Sequence, residues 1–118
     1  MAQMPAIEVP KWALTLLNNL YEIEHKLAKH GDPGNAARNV EKMKDAFAGE
    51  GLFYEDPMGQ PYKETRTDLD ASISGSSTEN LQVVEVLKPI VRAGQAQSSR
   101  VVQRGIVIVQ NENEGSEK

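Results

Sequence analysis

The chain has 118 residues, of which 39% are hydrophobic, and its 13 Lys and Arg against 17 Asp and Glu give a formal net charge of −4. A chain of this length forms one modest core or two small ones and has little material for a deep, enclosed active site. The acidic balance argues against nucleic acid as a partner, and the absence of Cys excludes disulfides and thiolate sites. No apolar run approaches the ~20 residues of a membrane span, so we expect a cytoplasmic protein that binds neither nucleic acid nor a membrane.

The first half of the chain predicts two helices. Prolines keep residues 1–10 irregular, and apolar residues then recur at intervals of 4, 4, 3 and 4, which is the period of a helix. Gly31 ends this helix, Asp32 is a typical N-cap for a second one, and the second helix ends before Gly51. The apolar positions are Trp12, Leu16, Leu20, Ile23 and Leu27 in the first helix and Val40, Met43 and Phe47 in the second.

These apolar positions predict that the helices of residues 11–51 form a hairpin that needs a partner surface. Two helices alone leave one side of each apolar stripe in water, and pairing two hairpins in a homodimer covers both stripes. We therefore predict a dimeric four-helix bundle in which all eight apolar residues are buried. The alternative is that the hairpin packs on the β unit of its own chain.

The second half predicts a small all-β domain over residues 52–110, so the fold class is α+β. Turn residues lie between 56 and 61, and apolar and polar residues alternate at 66–73, which favours a strand. Residues 81–91 and 100–109 are rich in Val and Ile and predict two antiparallel strands joined by a polar turn. Residues 111–118 lack apolar side chains and predict a disordered tail.

Candidate catalytic and metal-binding residues are few. His25 and His30 are five residues apart, whereas a helical metal pair needs three or four, so surface positions are the simpler reading. Asp68 and Asp70 share one face of the predicted strand, but no third ligand accompanies them. We predict no enzyme, no metal or other cofactor, and no small-molecule substrate.

Charge favours protein binding instead. Residues 1–60 carry six Lys and Arg against nine Asp and Glu, whereas residues 76–109 carry four against two. Arg100 and Arg104 beside a β surface suit the carboxylates of an acidic partner, although four exposed cations also serve solubility alone.

The order of these elements resembles a known family. A helix with the pair Leu16 and Leu17, a Gly-x-Pro-aromatic turn at 59–62, VVEVL at 83–87 and RVVQRGIVIV at 100–109 are similar to GrpE, the nucleotide exchange factor of Hsp70 chaperones. The resemblance covers residues 11–110 and is most specific in the last forty. It implies a homodimer whose β domain binds the nucleotide-binding domain of an Hsp70 (DnaK), holds its cleft open and speeds ADP release.

The motif match assigns partner contacts to Arg100, Val107 and Val109, with Arg104 beside them. For the two valines, ordinary packing of a strand face is an equal alternative, and for Arg100 the alternative is a solvated charge at a turn. The chain lacks the family's long N-terminal helix, has Ile90 and Val91 in place of Gly-Tyr, and has Gln103 where the second Arg is usual. These departures favour a second hypothesis, a GrpE-shaped dimeric adaptor without exchange activity.

Overall fold

Two helices precede a region of short strands in the computed structural model, which describes residues 9–95 and 97–115. The helices of the first half are α1 (Lys11–His30) and α2 (Ala37–Gly49). The strands are β1 (Leu52–Glu55), β2 (Pro61–Tyr62), β3 (Leu69–Ser74), β4 (Leu81–Lys88), β5 (Ile90–Ala93), β6 (Arg100–Gln103) and β7 (Gly105–Asn111), followed by the short helix α3 (Glu112–Gly115).

The boundary between the two long helices follows the local chemistry of the sequence. Gly31 adopts a φ of +95°, which favours glycine, and its N–H donates to Leu27 O at 2.9 Å. The Asp32 carboxylate then accepts hydrogen bonds from the N–H groups of Ala36 at 2.6 Å and Ala37 at 2.9 Å. These bonds satisfy amides that the first turn of α2 leaves without a helical partner.

The strands form two sheets, and both apolar runs of the second half divide between them. A three-stranded sheet has the order β1-β5-β6, and a four-stranded sheet has the order β2-β4-β7-β3. Pro89 separates β4 from β5, and Arg104 separates β6 from β7. The predicted antiparallel pairing of the two runs is present. The first part of one run pairs with the last part of the other as β4 with β7 in the four-stranded sheet, and the remaining parts pair as β5 with β6 in the three-stranded sheet.

The three-stranded sheet lies between the helices and the four-stranded sheet. Val91 belongs to a buried cluster with Leu17, Leu20 and Val40 of the helices. Ile90, the residue before Val91, belongs to the second buried cluster, which lies on the inner face of the four-stranded sheet. Because successive strand residues point to opposite faces, β5 contributes to both cores.

The prediction of a dimeric four-helix bundle is wrong, because the hairpin packs on the β unit of its own chain. Leu20 and Val40 are buried against Val91, and Leu27 and Phe47 pack at the margin of the same cluster. The remaining four predicted interface residues are exposed: Trp12 by 63%, Leu16 by 48%, Met43 by 45% and Ile23 by 39%. The apolar stripe of α1 is wide because one flank faces a sheet, and the sequence pattern alone did not distinguish a sheet from a second hairpin.

Polar contacts also fasten the hairpin to the strands. The Tyr54 hydroxyl of β1 donates to Glu24 Oε1 at 2.6 Å, and Lys44 Nζ of α2 binds Glu24 Oε2 at 3.0 Å. The Tyr21 hydroxyl donates to Asp56 Oδ1 at 3.2 Å. Burial and the hydrogen bond to Glu24 raise the pKa of Tyr54, so its hydroxyl keeps the proton that this contact requires.

The strand predicted at 66–73 is present, whereas the tail predicted at 111–118 is structured at its start. The strand expected at 66–73 is β3, and it runs parallel to β7, with Leu69 opposite Gly105 and Ser74 opposite Gln110. The tail expected at 111–118 begins with the last residue of β7 and the helix α3, while residues 116–118 lie outside the described residues. Of the irregular segment expected at 1–10, only residues 9 and 10 are described, and they precede α1 without regular structure.

Candidate protein-interaction surface

The outward face of the four-stranded sheet is the candidate interaction surface, and β7 lies at its centre. Along β7 the buried and exposed residues alternate: Val107 and Val109 are 1% and 0% exposed, whereas Ile106 is 37% exposed and Ile108 is half-buried. Alternation follows from the period of two in a strand. Two apolar β-branched side chains therefore stand on the outward face of β7, one of them exposed and the other half-buried.

The neighbouring strands place charged residues beside these two isoleucines. Ile106 lies opposite Asp70 of β3 on one side and Lys88 of β4 on the other. Ile108 lies between Ser72 and Glu85 in the same way. We call the surface formed by these six residues the outer sheet face.

The outer sheet face has the composition of a small protein contact. Its apolar centre is surrounded by charges of both signs, as the core and rim of protein interfaces are. Leu87, which is exposed by 52%, lies at the bulge of β4 between Val86 and Lys88. Single exposed apolar residues are common on any protein, but here the exposed Ile106 and Leu87 and the half-buried Ile108 lie on adjoining strands.

None of the four residues predicted from the motif has its side chain at the centre of the outer sheet face. Val107 and Val109 point into the core, which agrees with the alternative that they pack a strand face. In this conformation they do not contact a partner directly. Arg100 is exposed at the start of β6, an edge strand of the other sheet. Arg104 is exposed at the junction before β7, where its Nη2 donates to Leu69 O at 2.7 Å.

Ile106 and Ile108 are the residues that the sequence reading missed. Four of the five residues from 105 to 109 are apolar, so the run itself does not reveal which face is inward. Only the structure shows the inward side, because a Cβ at Gly105 would lie 3.0 Å from side-chain atoms of Ile90 and Leu69. Gly105 therefore lies on the inward side of β7, and Val107 and Val109 lie on the same side because side chains alternate along a strand.

Gln103 stands at the position where the GrpE pattern has its second Arg, and its side chain points toward the helices. Its Nε2 donates to Asn18 Oδ1 and to Pro89 O, both at 2.9 Å, and Asn18 Nδ2 donates back to Gln103 Oε1 at 3.1 Å. This pair of amides fastens β6 to α1. The departure from the family pattern therefore has a structural role inside this chain.

Asp68 is held by two arginines and is not available as a free acid. Arg66 binds it in a bidentate manner, at 3.0 Å from Nε to Oδ1 and 2.9 Å from Nη2 to Oδ2, and Arg92 Nη2 lies 3.3 Å from Oδ2. The hydrogen bond from Arg66 is the main cause that lowers the pKa of Asp68. Arg92 also binds Glu55 at 2.9 Å, so the network joins the two sheets.

Asp70, by contrast, lies on the outer sheet face, so the two carboxylates have separate environments. His25 stacks on Tyr21 with ring centroids 6.1 Å apart, and His30 is the last residue of α1. Among the described residues, no group of three or more His, Asp or Glu lies together in a way that would hold a metal ion.

Comparison with known proteins adds no relative to this description. No family model matches the chain, and neither a curated protein nor a solved structure matches it. Within the described residues no helix is long and apolar enough to cross a membrane.

Proposed function

We propose that this protein is a GrpE-like co-chaperone that binds the nucleotide-binding domain of an Hsp70 through its β unit and promotes ADP release. The observation that carries the proposal is the order of elements, in which two helices precede a β unit whose central strands, β4 and β7, contain VVEVL and GIVIV. The resemblance to the family is strongest in these two strands.

The outer sheet face supports a binding role of this kind. Ile106 and Ile108 supply the apolar centre, and Lys88, Asp70 and Glu85 supply charges that orient a partner. The three long strands, ~4.8 Å apart and about seven residues long at ~3.3 Å per residue, give a face of roughly 330 Å². A stable interface uses about 800 Å² on each partner, so the contact must extend past the face, toward Arg104 at one end of β7.

Exchange requires no chemistry from this chain. A protein that binds the open, nucleotide-poor form of an Hsp70 more tightly than the closed form shifts the population toward the open form, and ADP then leaves faster. The proposal therefore includes no cofactor and no small-molecule substrate of the chain's own. A cytoplasmic location, where Hsp70 chaperones act, is part of the proposal.

The test is the release of a fluorescent ADP analogue from the Hsp70 of the same organism, measured by stopped-flow with and without this protein. We expect faster release, and we expect Ile106→Thr to reduce the acceleration, because Thr keeps the β-branched shape but removes apolar area. Ile23→Thr is the matched control, since Ile23 is exposed by 39% against 37% for Ile106 but lies on α1.

Arginine variants separate the motif residues from general charge. Arg100→Ala tests the exposed start of β6, and Arg38→Ala removes the same charge from the exposed surface of α2. Loss of acceleration in Ile106→Thr or Arg100→Ala, with both controls active, supports exchange through the β unit. Absence of acceleration and of binding by the wild-type chain would overturn the proposal.

The second candidate is an adaptor that binds a partner protein without promoting exchange. The observation in its favour is Gln103, whose amide is occupied by Asn18 and Pro89 O and is not offered to a partner. Ile90 and Val91, which replace the family's Gly-Tyr, are also buried. Binding to the Hsp70 without faster release of ADP would favour the adaptor.

A further inference from the structure

The free edge of β3 is a different feature from the outer sheet face. β3 is the last strand of its sheet and, within residues 9–95 and 97–115, pairs only with β7, over six residues in unbroken register. An edge of this length presents unpaired backbone groups, and proteins usually protect such edges with Lys, Pro or a bulge. The sequence of β3, LDASIS, contains neither Lys nor Pro, and its pairing with β7 has no bulge.

The pairing identifies which backbone groups face outward. Gly105 N donates to Asp68 O at 2.9 Å while Leu69 lies opposite Gly105, and in a parallel ladder this directs the N–H and C=O groups of Asp70 and Ser72 toward β7. The groups of Leu69, Ala71 and Ile73 therefore point to the open edge. Leu69 O accepts Arg104 Nη2, so the open part of the edge begins at Ala71.

A cleft lies beside the same two residues on the inner face of the four-stranded sheet. The three-stranded sheet covers only one end of this face, and the other end is an open cavity of about 720 Å³. Its apolar lining comes from Tyr62, Leu81, Ala71 and Ile73, and Ile73 is 46% exposed. This volume is in the range of sites that take a side chain or a small ligand.

We propose that the β3 edge and this cleft together bind an extended peptide segment of a partner protein, which adds as a fifth strand to the sheet. The backbone of the segment pairs with the open N–H and C=O groups of Ala71 and Ile73. Its inward side chains are apolar, because they extend over the cleft next to these residues.

Charge selects a basic segment. Asp70 stands on the outer side of β3, next to the position of an added strand, and Glu64 and Glu112 line the cleft with Lys63 as its one cationic side chain among the described residues. Lys or Arg at the outward positions of the segment therefore meets the Asp70 carboxylate, whereas Asp or Glu there meets repulsion, and the excess of carboxylates at the cleft favours a cationic segment as a whole. The expected partner sequence alternates apolar and basic residues.

Two measurements on the full chain test this proposal. The first is fluorescence anisotropy with a fluorescein-labelled octapeptide of alternating Val and Lys, compared with one in which Glu replaces Lys. The second is amide hydrogen exchange by NMR. We expect the Ala71 and Ile73 amides to exchange fast in the free protein and to become protected with the Val-Lys peptide, whereas the Ser72 amide is protected in both states.

Two variants block the edge in different ways. Ala71→Pro removes an N–H that faces solvent, a place where a strand tolerates Pro, and we expect it to weaken peptide binding about tenfold or more. Ile73→Lys leaves the backbone intact but places a cation at the cleft, and it serves if the proline variant does not fold. Ile23→Lys, at a residue of α1 that is exposed by 39% against 46% for Ile73, is the matched control with binding unchanged.

The following results would overturn the proposal: no binding of the Val-Lys peptide at millimolar concentration, equal binding of the Val-Glu peptide, or binding unaffected by both edge variants. Self-association that Ala71→Pro abolishes, without peptide binding, would also overturn it, because the edge would then pair with a second copy of the chain. These measurements contain no Hsp70, so they are independent of the proposed exchange activity.

Discussion

Leu16 and Leu17 are adjacent leucines of α1 that provide a direct test of how the hairpin packs. Leu17 is 0% exposed and belongs to the cluster with Val40 and Val91, whereas Leu16 is 48% exposed. Leu→Ala changes helix propensity by the same small amount at both positions. A difference between the two variants therefore reports packing alone.

The expected magnitudes follow from burial. Removing a fully buried Leu side chain costs about 2–5 kcal/mol, and we take about 3 kcal/mol for Leu17→Ala because the helices and the sheet leave a cavity that cannot collapse. A fully buried Leu contributes ~2 kcal/mol by transfer from water, so half-exposed Leu16 loses about 1 kcal/mol and leaves no cavity. At roughly 4 °C per kcal/mol for a chain of this size, Tm falls by ~12 °C and ~4 °C respectively.

Urea unfolding followed by circular dichroism, together with thermal melts, gives both numbers. Repeating each measurement over about a tenfold range of protein concentration detects any contribution of self-association, since an oligomer's apparent stability depends on concentration. If Leu16→Ala destabilised the protein as much as Leu17→Ala, Leu16 would lie in a core that the single chain lacks. That result would refute a hairpin that packs only on the β unit of its own chain.

Two further predictions concern polar contacts. Asp68→Asn should cost about 2 kcal/mol at pH 7, because two arginines lose their carboxylate. Since the folded-state pKa of Asp68 is lowered, its contribution is fully present above the ordinary carboxyl pKa of ~4 and disappears as the pH falls through the folded pKa. Urea midpoints of wild type and variant should therefore converge as the pH falls below the ordinary carboxyl pKa of ~4 and through the lower folded-state pKa, and a constant difference would contradict this. Gln103→Ala should cost about 1–3 kcal/mol because it leaves Asn18 and Pro89 O without their partner, and Asn18→Ala added to it should cost little more. Full additivity in this double-mutant cycle would show that the two amides do not interact.

Much of the local structure was predictable from the sequence. The period of 3.6 in α1, the end at Gly31 and the cap at Asp32 are properties of short segments, and they reappear in the structure with nearly the predicted bounds. The Val- and Ile-rich runs near the end of the chain form antiparallel strands as expected. Steric preferences and backbone hydrogen bonding within a few residues decide such features.

The candidate site was less predictable, and β7 shows why. Val107, Ile108 and Val109 are nearly equivalent in hydrophobicity and in β propensity, so the sequence supplied no sign of which parity faces the core. The choice depends on Gly105, which allows Ile90 and Leu69 to approach. The outer sheet face was therefore visible only when both strands and their neighbours were in place.

The sequence by itself determined the order of two helices before a sheet-rich region, the helix boundaries, the pairing of the last two apolar runs and the absence of Cys chemistry. The tertiary structure decided that the hairpin packs on its own β unit, that each run divides between two sheets at Pro89 and Arg104, and that β3 joins β7 in parallel. The physical reason is that the hydrophobic effect is not directional. An apolar stripe in the sequence predicts that some surface covers it, and only the whole fold determines which surface that is.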